Sequence, residues 1–479
     1  MQRWKNIRIR KRHRWILIPL LVIVIGLAIV RQFYHLKDED PAKDAFQKIR
    51  ERGYMVALTD KNSLDYFIYR GEPMGFQLSL LRSFADYLNV PLKIIATNDI
   101  SKLYYYLDMN VGDVIACNLP VTGEGKRMVH FSETLLETRL VLIQRKPTGN
   151  NKTGDARLIK SPSDFSGDTI YLQRNLFERP LLARFLRRAG RNLTVIEETG
   201  KNAGQLIAMV SEGKIDYTVC EENVAMMIKR AYPNLNAEYS ISGFHDYGWA
   251  VVHSSDSLLM KINEWITEIK KTRELKQTYM AYFENPGVPN YFRNDFFSVK
   301  GNRLSPFDDV IRKLSMNISW DWRLLASLIY EESNFHLGVV SSHNATGLMQ
   351  LMPVTANKFG MDSISTPAQQ LSAGVKFLKW LDSQLSSEIP DPRERINFIL
   401  AAYNVGLGKV LSARERASKY GKNPNKWNGN VGYYLTRRSM KDPNPSSDSA
   451  IDQSLYAGAG RFVESILERY QHYKNNIPE

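Results

Sequence analysis

The apolar pattern changes character once along this chain, and that change limits the possible folds more than any other feature. From Arg50 to Phe283, short β-rich runs alternate with helical stretches. Met55–Leu58, Leu92–Ala96, Asp113–Cys117 and Leu140–Gln144 read as strands, and Leu78–Leu88 and Ser101–Met109 as helices. A second cycle starts at Thr169–Leu172, passes a helix around Leu181–Arg188 and reaches strands at Leu193–Glu197 and Tyr217–Cys220. Such alternation predicts an α/β architecture. Asn285–Leu304, rich in Pro, Gly and Asn, reads as a linker. From Pro306 onward strands fade and helical spacing dominates, with Lys441–Asp452 as a polar loop. A chain of 479 residues, 43% of them apolar, can build two or three separate cores. The expected divisions are 50–283, a linker at 284–305 and an α-rich domain at 306–479.

Trp15–Val30 is an unbroken apolar run of 16 residues. As a helix it spans about 24 Å against a hydrocarbon core of about 30 Å, and Arg14 and Arg31 can snorkel across the difference. The segment 1–14 holds seven basic residues and no acid, which keeps it in the cytoplasm and sends the rest outward. Gly26 and Ala28 could serve a cleavage site, but they lie inside the apolar run, so an uncleaved anchor at 15–30 is expected. That places the bulk of the chain in the periplasm on an inner-membrane anchor, or at the outer membrane as a peripheral protein if the segment is removed. Net charge is +14, half of it in this segment. The remainder reads as a solvated basic surface, or as attraction to an anionic polymer or acidic membrane face. No nucleic-acid motif is present. Cys117 and Cys220, 103 positions apart, read as buried free thiols. No His, Cys and Asp cluster has ligand spacing, so neither a metal nor a cofactor is expected.

Four stretches of the first domain carry a resemblance: Arg70–Val90, Gly112–Thr122, Val129–Ile143 and Gly213–Ala225. Their order resembles a family 3 extracellular solute-binding protein, which implies a two-lobed α/β periplasmic-binding-protein fold with its ligand in a hinge cleft. The resemblance places Asn118, Thr122 and Glu221 at the ligand. Amino-acid binders of that family have an Arg three residues after the motif Thr, clamping the ligand carboxylate. Here that position is Gly125, while the acid that pairs with a ligand amine is kept in type as Glu221. A free amino acid is therefore a doubtful ligand, and a muropeptide or stem peptide suits the cleft better.

In the second domain, Trp322, Leu325, Ile329 and Phe335 fall at helical spacing, with Glu332 in the slot between the last two. Glu331 is turned about 100° away. A carboxyl on an apolar stripe is desolvated, its pKa rises, and it can act as a general acid. A Glu on a helix surface beside a domain interface would give the same pattern. Glu332-Ser333, Ser341, Gly347-Leu348-Met349-Gln350 and Thr355-Ala356 stand before a second motif, Ala401–Gly406 (AAYNVG). Together with Gly460, Phe462-Val463 and Tyr470 they resemble the lytic transglycosylase (goose-lysozyme-like) family.

That resemblance implies an α-rich lysozyme-like domain acting on peptidoglycan glycan strands. It implies that Glu332 is the sole catalytic acid and base and yields a 1,6-anhydro sugar. Ser333, Ser341, Met349, Gln350, Tyr403 and Asn404 match positions that line the sugar groove. The family often has Gly where Asn344 stands, and Asn tolerates the left-handed backbone such a turn needs. A silent wall-fragment sensor would have lost Glu332 or the second motif. A hydrolytic muramidase would need a second carboxylate, for which Asp321 and Asp362 are the nearby candidates.

Overall fold

The computed structural model describes residues 44–147, 158–174, 178–199, 201–285, 294–298, 302–436 and 450–479. The expected cytoplasmic segment 1–14 and anchor 15–30 lie outside the described residues. Among those described, no helix is long and apolar enough to cross a membrane.

Two sheets build the first domain. In one, the order is Leu92–Thr97, Met55–Asp60, Val114–Pro120, His245–Val251 and His130–Phe131, with Leu136–Thr138 also paired to His245–Val251. The first three strands run parallel and the others join antiparallel. Met55–Asp60 and Val114–Pro120 are buried along their whole length, as central parallel strands between covering layers must be. The second sheet runs Leu193–Glu198, Asp168–Gln173, Tyr217–Glu221, Leu140–Arg145, Leu235–Asn236. The chain passes from the first sheet to the second between Thr138 and Leu140 and returns between Asn236 and His245, which makes two lobes on a double crossing. Asp60 and Glu221 are the last residues of parallel strands, the end at which open α/β sheets bind ligands.

Each strand read from the sequence is present, one or two residues longer. His245–Val251 escaped notice because its sequence begins with two polar residues and is broken by Gly248, so it shows no period of two. Gly248 is there for a close approach: a Cβ would stand 3.0 Å from Ser132 Oγ. A hairpin, Phe67–Tyr69 with Glu72–Met74, was not anticipated either. Its two-residue turn has φ of 50° at Arg70 and 84° at Gly71, the left-handed pair that matches the twist of hairpin strands.

Helices make up the second domain: Asp308–Ser315, Trp322–Ser333, Pro353–Phe359, Pro367–Leu385, Pro392–Val405, Leu407–Lys419, Gly432–Thr436 and Ala450–Asn476. Several begin where the sequence supplies a cap. Thr366 forms a capping box with Gln369 ahead of Pro367, and Asp391 accepts from the Arg393 N–H. Of the polar stretch Lys441–Asp452, residues 441–449 lie outside the described residues, and Ala450, Ile451 and Asp452 belong to the closing helix.

The two domains are pinned together at the hairpin. Ile68 is fully buried within the helical domain's core, with Leu304, Ile311, Leu325 and Ile329. The stretch 294–298 lies along the hairpin: Arg70 N–H donates to Phe296 O (3.0 Å), and Ile68 N–H to Ser298 Oγ (2.9 Å). From the closing helix, Tyr473 Oη donates to Gly71 O (2.7 Å) and Asn475 Nδ2 to Ile94 O (2.8 Å). Tyr66 Oη meets His472 Nδ1 at 2.7 Å.

Candidate active site and binding cleft

The helix Trp322–Ser333 starts on Asp321, whose side chain accepts from Arg323 N–H, and stops at Asn334 in the left-handed conformation. Every residue from Trp322 to Ile329 is buried. The helix is therefore central, not one-sided, which corrects the stripe read from the sequence. Phe335, counted in that stripe, lies beyond the helix end at φ 60° and packs edge-on against Tyr330, ring centroids 5.7 Å apart. Glu332 stands at a boundary because the last turn leaves the core.

The two neighbouring acids have different surroundings. Glu331 accepts from Ser465 Oγ (2.7 Å) and Arg469 Nη1 (2.6 Å) on the closing helix. Glu332 is half-buried and makes no hydrogen bond or ion pair among the described residues. Burial, and then the nearby charge of Glu331, push its carboxyl up to about 8.

Around Glu332 the expected groove residues divide into two kinds. Tyr403 Oη donates to Met349 O (2.5 Å), and its hydroxyl is held well above the usual phenol range by burial and by Glu332. Asn404, next to it, is exposed. Gln350, at φ 47°, donates from Nε2 to Val339 O and Gly347 O, both 2.9 Å. Ser341 Oγ accepts from Ala345 N–H (3.0 Å) and His343 N–H (3.2 Å) and shapes the turn, in which Asn344 takes φ 63°.

Ser333 and Met349 are of the other kind. Ser333 is buried and donates to Leu348 O (2.8 Å), tying the helix end to the loop. The Met349 side chain is 1% exposed and lies where a Cβ on Gly374 would strike its sulfur at 2.2 Å. Both side chains are buried and support the loop around Leu348 from within.

Of the two spare carboxylates, Asp321 caps the helix start, pairs with Arg323 and accepts from Tyr470 Oη (2.9 Å). Asp362 accepts from Ser365 Oγ (2.7 Å) in its own turn.

The cavity between the lobes is lined by Asp60, Asp65, Asn118, Gln173, Glu178 and Glu221, among others. Asn118 and Glu221 meet there as expected. Trp249 Nε1 donates to Gln77 Oε1 (2.7 Å) and Gln77 Nε2 to Asn118 Oδ1 (3.1 Å), which leaves the Asn118 amide N–H groups for Glu221. Thr122 is not part of the lining: its Oγ1 accepts from Gly125 N–H (3.1 Å) and holds the short turn that follows. Asp60 and Asp65 were missed in the sequence. Asp60 carried a signal, since it ends a parallel strand, while Asp65 sits in an irregular loop and carried none.

The transglycosylase SLT domain family matches residues 309–426, and the bacterial extracellular solute-binding proteins, family 3, match residues 55–285. A protein of Desulfosudis oleivorans named membrane-bound lytic murein transglycosylase F is 29% identical over 466 residues, 95% of this chain and 97% of its own. One of the same name from Pseudomonas fluorescens is 30% identical over 431 residues, covering 89% of this chain and 84% of its own. With that identity across both domains, the chain belongs to the membrane-bound lytic murein transglycosylase F family.

Proposed function

We propose that this chain cleaves the β-1,4 bond between N-acetylmuramic acid and N-acetylglucosamine in peptidoglycan without water, with Glu332 making both proton transfers. The single observation that supports this most is the contrast at the end of one helix. Glu331 is engaged by Ser465 and Arg469, while Glu332 is half-buried, unpaired among the described residues and pushed up to about 8. A carboxyl of that kind is protonated at neutral pH and can donate.

In the first step, Glu332 gives its proton to the glycosidic oxygen as the bond from the muramic acid anomeric carbon breaks. In the second, the Glu332 carboxylate takes the proton of that sugar's 6-hydroxyl while its oxygen closes on the anomeric carbon. The product carries a 1,6-anhydro ring and Glu332 is protonated again. Ser341, Gln350, Tyr403 and Asn404 orient the sugar and the acid, with Ser333 and Met349 supporting the loop.

Hydrolysis would place a second carboxylate roughly 5–5.5 Å from the acid for retention or 6.5–9.5 Å for inversion. Asp321 is 11 residues earlier on the same helix, about 16 Å away. Mass spectrometry of products from purified peptidoglycan tests the reading: anhydro ends support it, and reducing ends would refute it.

The same reading makes 50–283 a module that regulates or targets the enzyme, with a muropeptide or stem peptide as its ligand class, and 306–479 the catalytic domain. The run 15–30 anchors the chain to the inner membrane, with both domains in the periplasm. The relatives' name, membrane-bound, supports the envelope location.

A further inference from the structure

A second cavity, of about 450 Å³, lies where the two lobes meet the helical domain. Lys61 and Asn98 follow the strands Met55–Asp60 and Leu92–Thr97 of the first lobe, and Asn202 and Gln205 open the helix Ala203–Ser211 of the second. Ser298 and Asn302 come from the connecting stretch, and Arg323 and residues 474–478 from the helical domain. Among the described lining residues only Ile477 and Pro478 are apolar, and none is an acid. The lining shares no residue with the cleft between the lobes.

Three bases stand on these walls. Arg323 is already paired, with Asp321 (2.6 Å) and with Glu479 Oε1 (3.3 Å). Lys61 has three donors and gives one to a neutral partner, Asn476 O, at 2.6 Å. Burial lowers its ammonium. Lys474 Nζ lies 4.5 Å from the centre of the Tyr470 ring. Burial and then the charge of Arg323 lower it to about 8, against the opposing field of Asp321. Cations drawn together out of water are relieved by an anion placed among them.

We infer that this cavity binds a hydrophilic anion of sugar size, a phosphate or carboxylate carried on a hydroxyl-bearing body, with Lys61 and Lys474 as its cationic contacts. The volume is that of a small-molecule site, which runs to roughly 300–1,000 Å³, and is far more than a bare ion fills. Asn202, Gln205 and Asn302 supply amides, which donate and accept as sugar hydroxyls do. Because both lobes and the helical domain line the cavity, an occupant ties all three together and raises the stability of the whole chain. The inference is independent of the ligand proposed for the cleft and of the glycan chemistry.

The test is calorimetry and thermal melting of the full chain with glucose 6-phosphate, glucuronate, inorganic phosphate and glucose. At least one of the two sugar anions binds and raises Tm, and the tighter of them tells phosphate from carboxylate. Glucose does not bind, and inorganic phosphate binds about tenfold more weakly or worse. Lys61→Met and Lys474→Met each weaken the sugar anion by about 10–100-fold. Lys422→Met, at an exposed lysine of the helical domain, leaves its binding unchanged. The comparison of charged and uncharged sugars on the parent chain stands even where a variant fails to fold. Binding of glucose as tight as that of the sugar anions, no binding of either anion, or inorganic phosphate binding as well as both overturns the inference. So does an equal loss in Lys422→Met and Lys474→Met, which would mean attraction to a basic surface with no defined site.

Discussion

Burial raises carboxyl groups at two places in this chain, and the two places are built in opposite ways. At the end of the central helix, Glu332 stands by itself and partly exposed, and the one acid next to it is already held by Ser465 and Arg469. In the cleft, Asp60, Asp65 and Glu221 stand together around a cavity with no base among its described lining residues. Isolation keeps one proton on Glu332, as the proposed general acid requires. Crowding in the cleft sets like charges close together, which favours protonation of some of these acids. The lesson is that a raised carboxyl pKa alone assigns no role; the number of acids present and their access to solvent decide it.

The largest expected effect breaks or supports the first half of that comparison. Glu332→Gln should lower the release of anhydro-ended products by about 10²–10⁴-fold, the usual worth of a positioned acid, with the melting temperature kept. Retained cleavage would remove Glu332 from the chemistry.

Next comes the joint between the domains. At Gly71, with φ 84°, a Cβ would stand 2.5 Å from Tyr330 Cδ2 and 2.8 Å from Phe335 Cε2. Gly71→Ala should therefore cost about 1–3 kcal/mol in urea unfolding through backbone strain and overpacking. Because Tyr330 is two residues before Glu332, cleavage should fall as well. Unchanged stability would mean that the hairpin is not docked on that turn.

Tyr473→Phe removes the buried donor to Gly71 O and should cost about 1 kcal/mol in the same measurement. An effect much smaller than that of Gly71→Ala would show that shape, more than hydrogen bonding, holds the joint.

The smallest effect sharpens the contrast between neighbouring acids. Donation requires protonated Glu332, so cleavage should decline as pH rises through about 8. The Glu331 charge contributes to that raised value. Glu331→Gln should therefore keep most of the activity and move the alkaline limb to lower pH. A limb that moves upward, or loss of activity equal to that of Glu332→Gln, would reverse the roles of the pair.

Local periodicity made much of the fold legible. Met55–Asp60, Leu92–Thr97 and Tyr217–Glu221 are short β-rich runs bounded by polar residues, so their existence could be read and only their ends shifted. The left-handed Asn344 was legible for the same reason, since a single residue type carries the requirement. The Phe67–Met74 hairpin was not legible: its strands are three residues each, too short to show a period. Ser333 and Met349 were placed in the groove because motifs mark positions without saying which way a side chain points. Both turned out to be buried.

The sequence by itself determined the two-part organisation, the identity of the acid at 332 and the missing basic residue at 125. Each is written in residue type and near spacing, which the chain carries wherever it folds. The tertiary structure decided which of the two adjacent acids is neutralised. It does so through Ser465 and Arg469, 134 and 138 positions from Glu331. It also decided that Asp60 and Asp65 meet Glu221 across the cleft. Desolvation and charge pairing depend on what surrounds a group in space, and the groups that surround these acids come from distant parts of the chain.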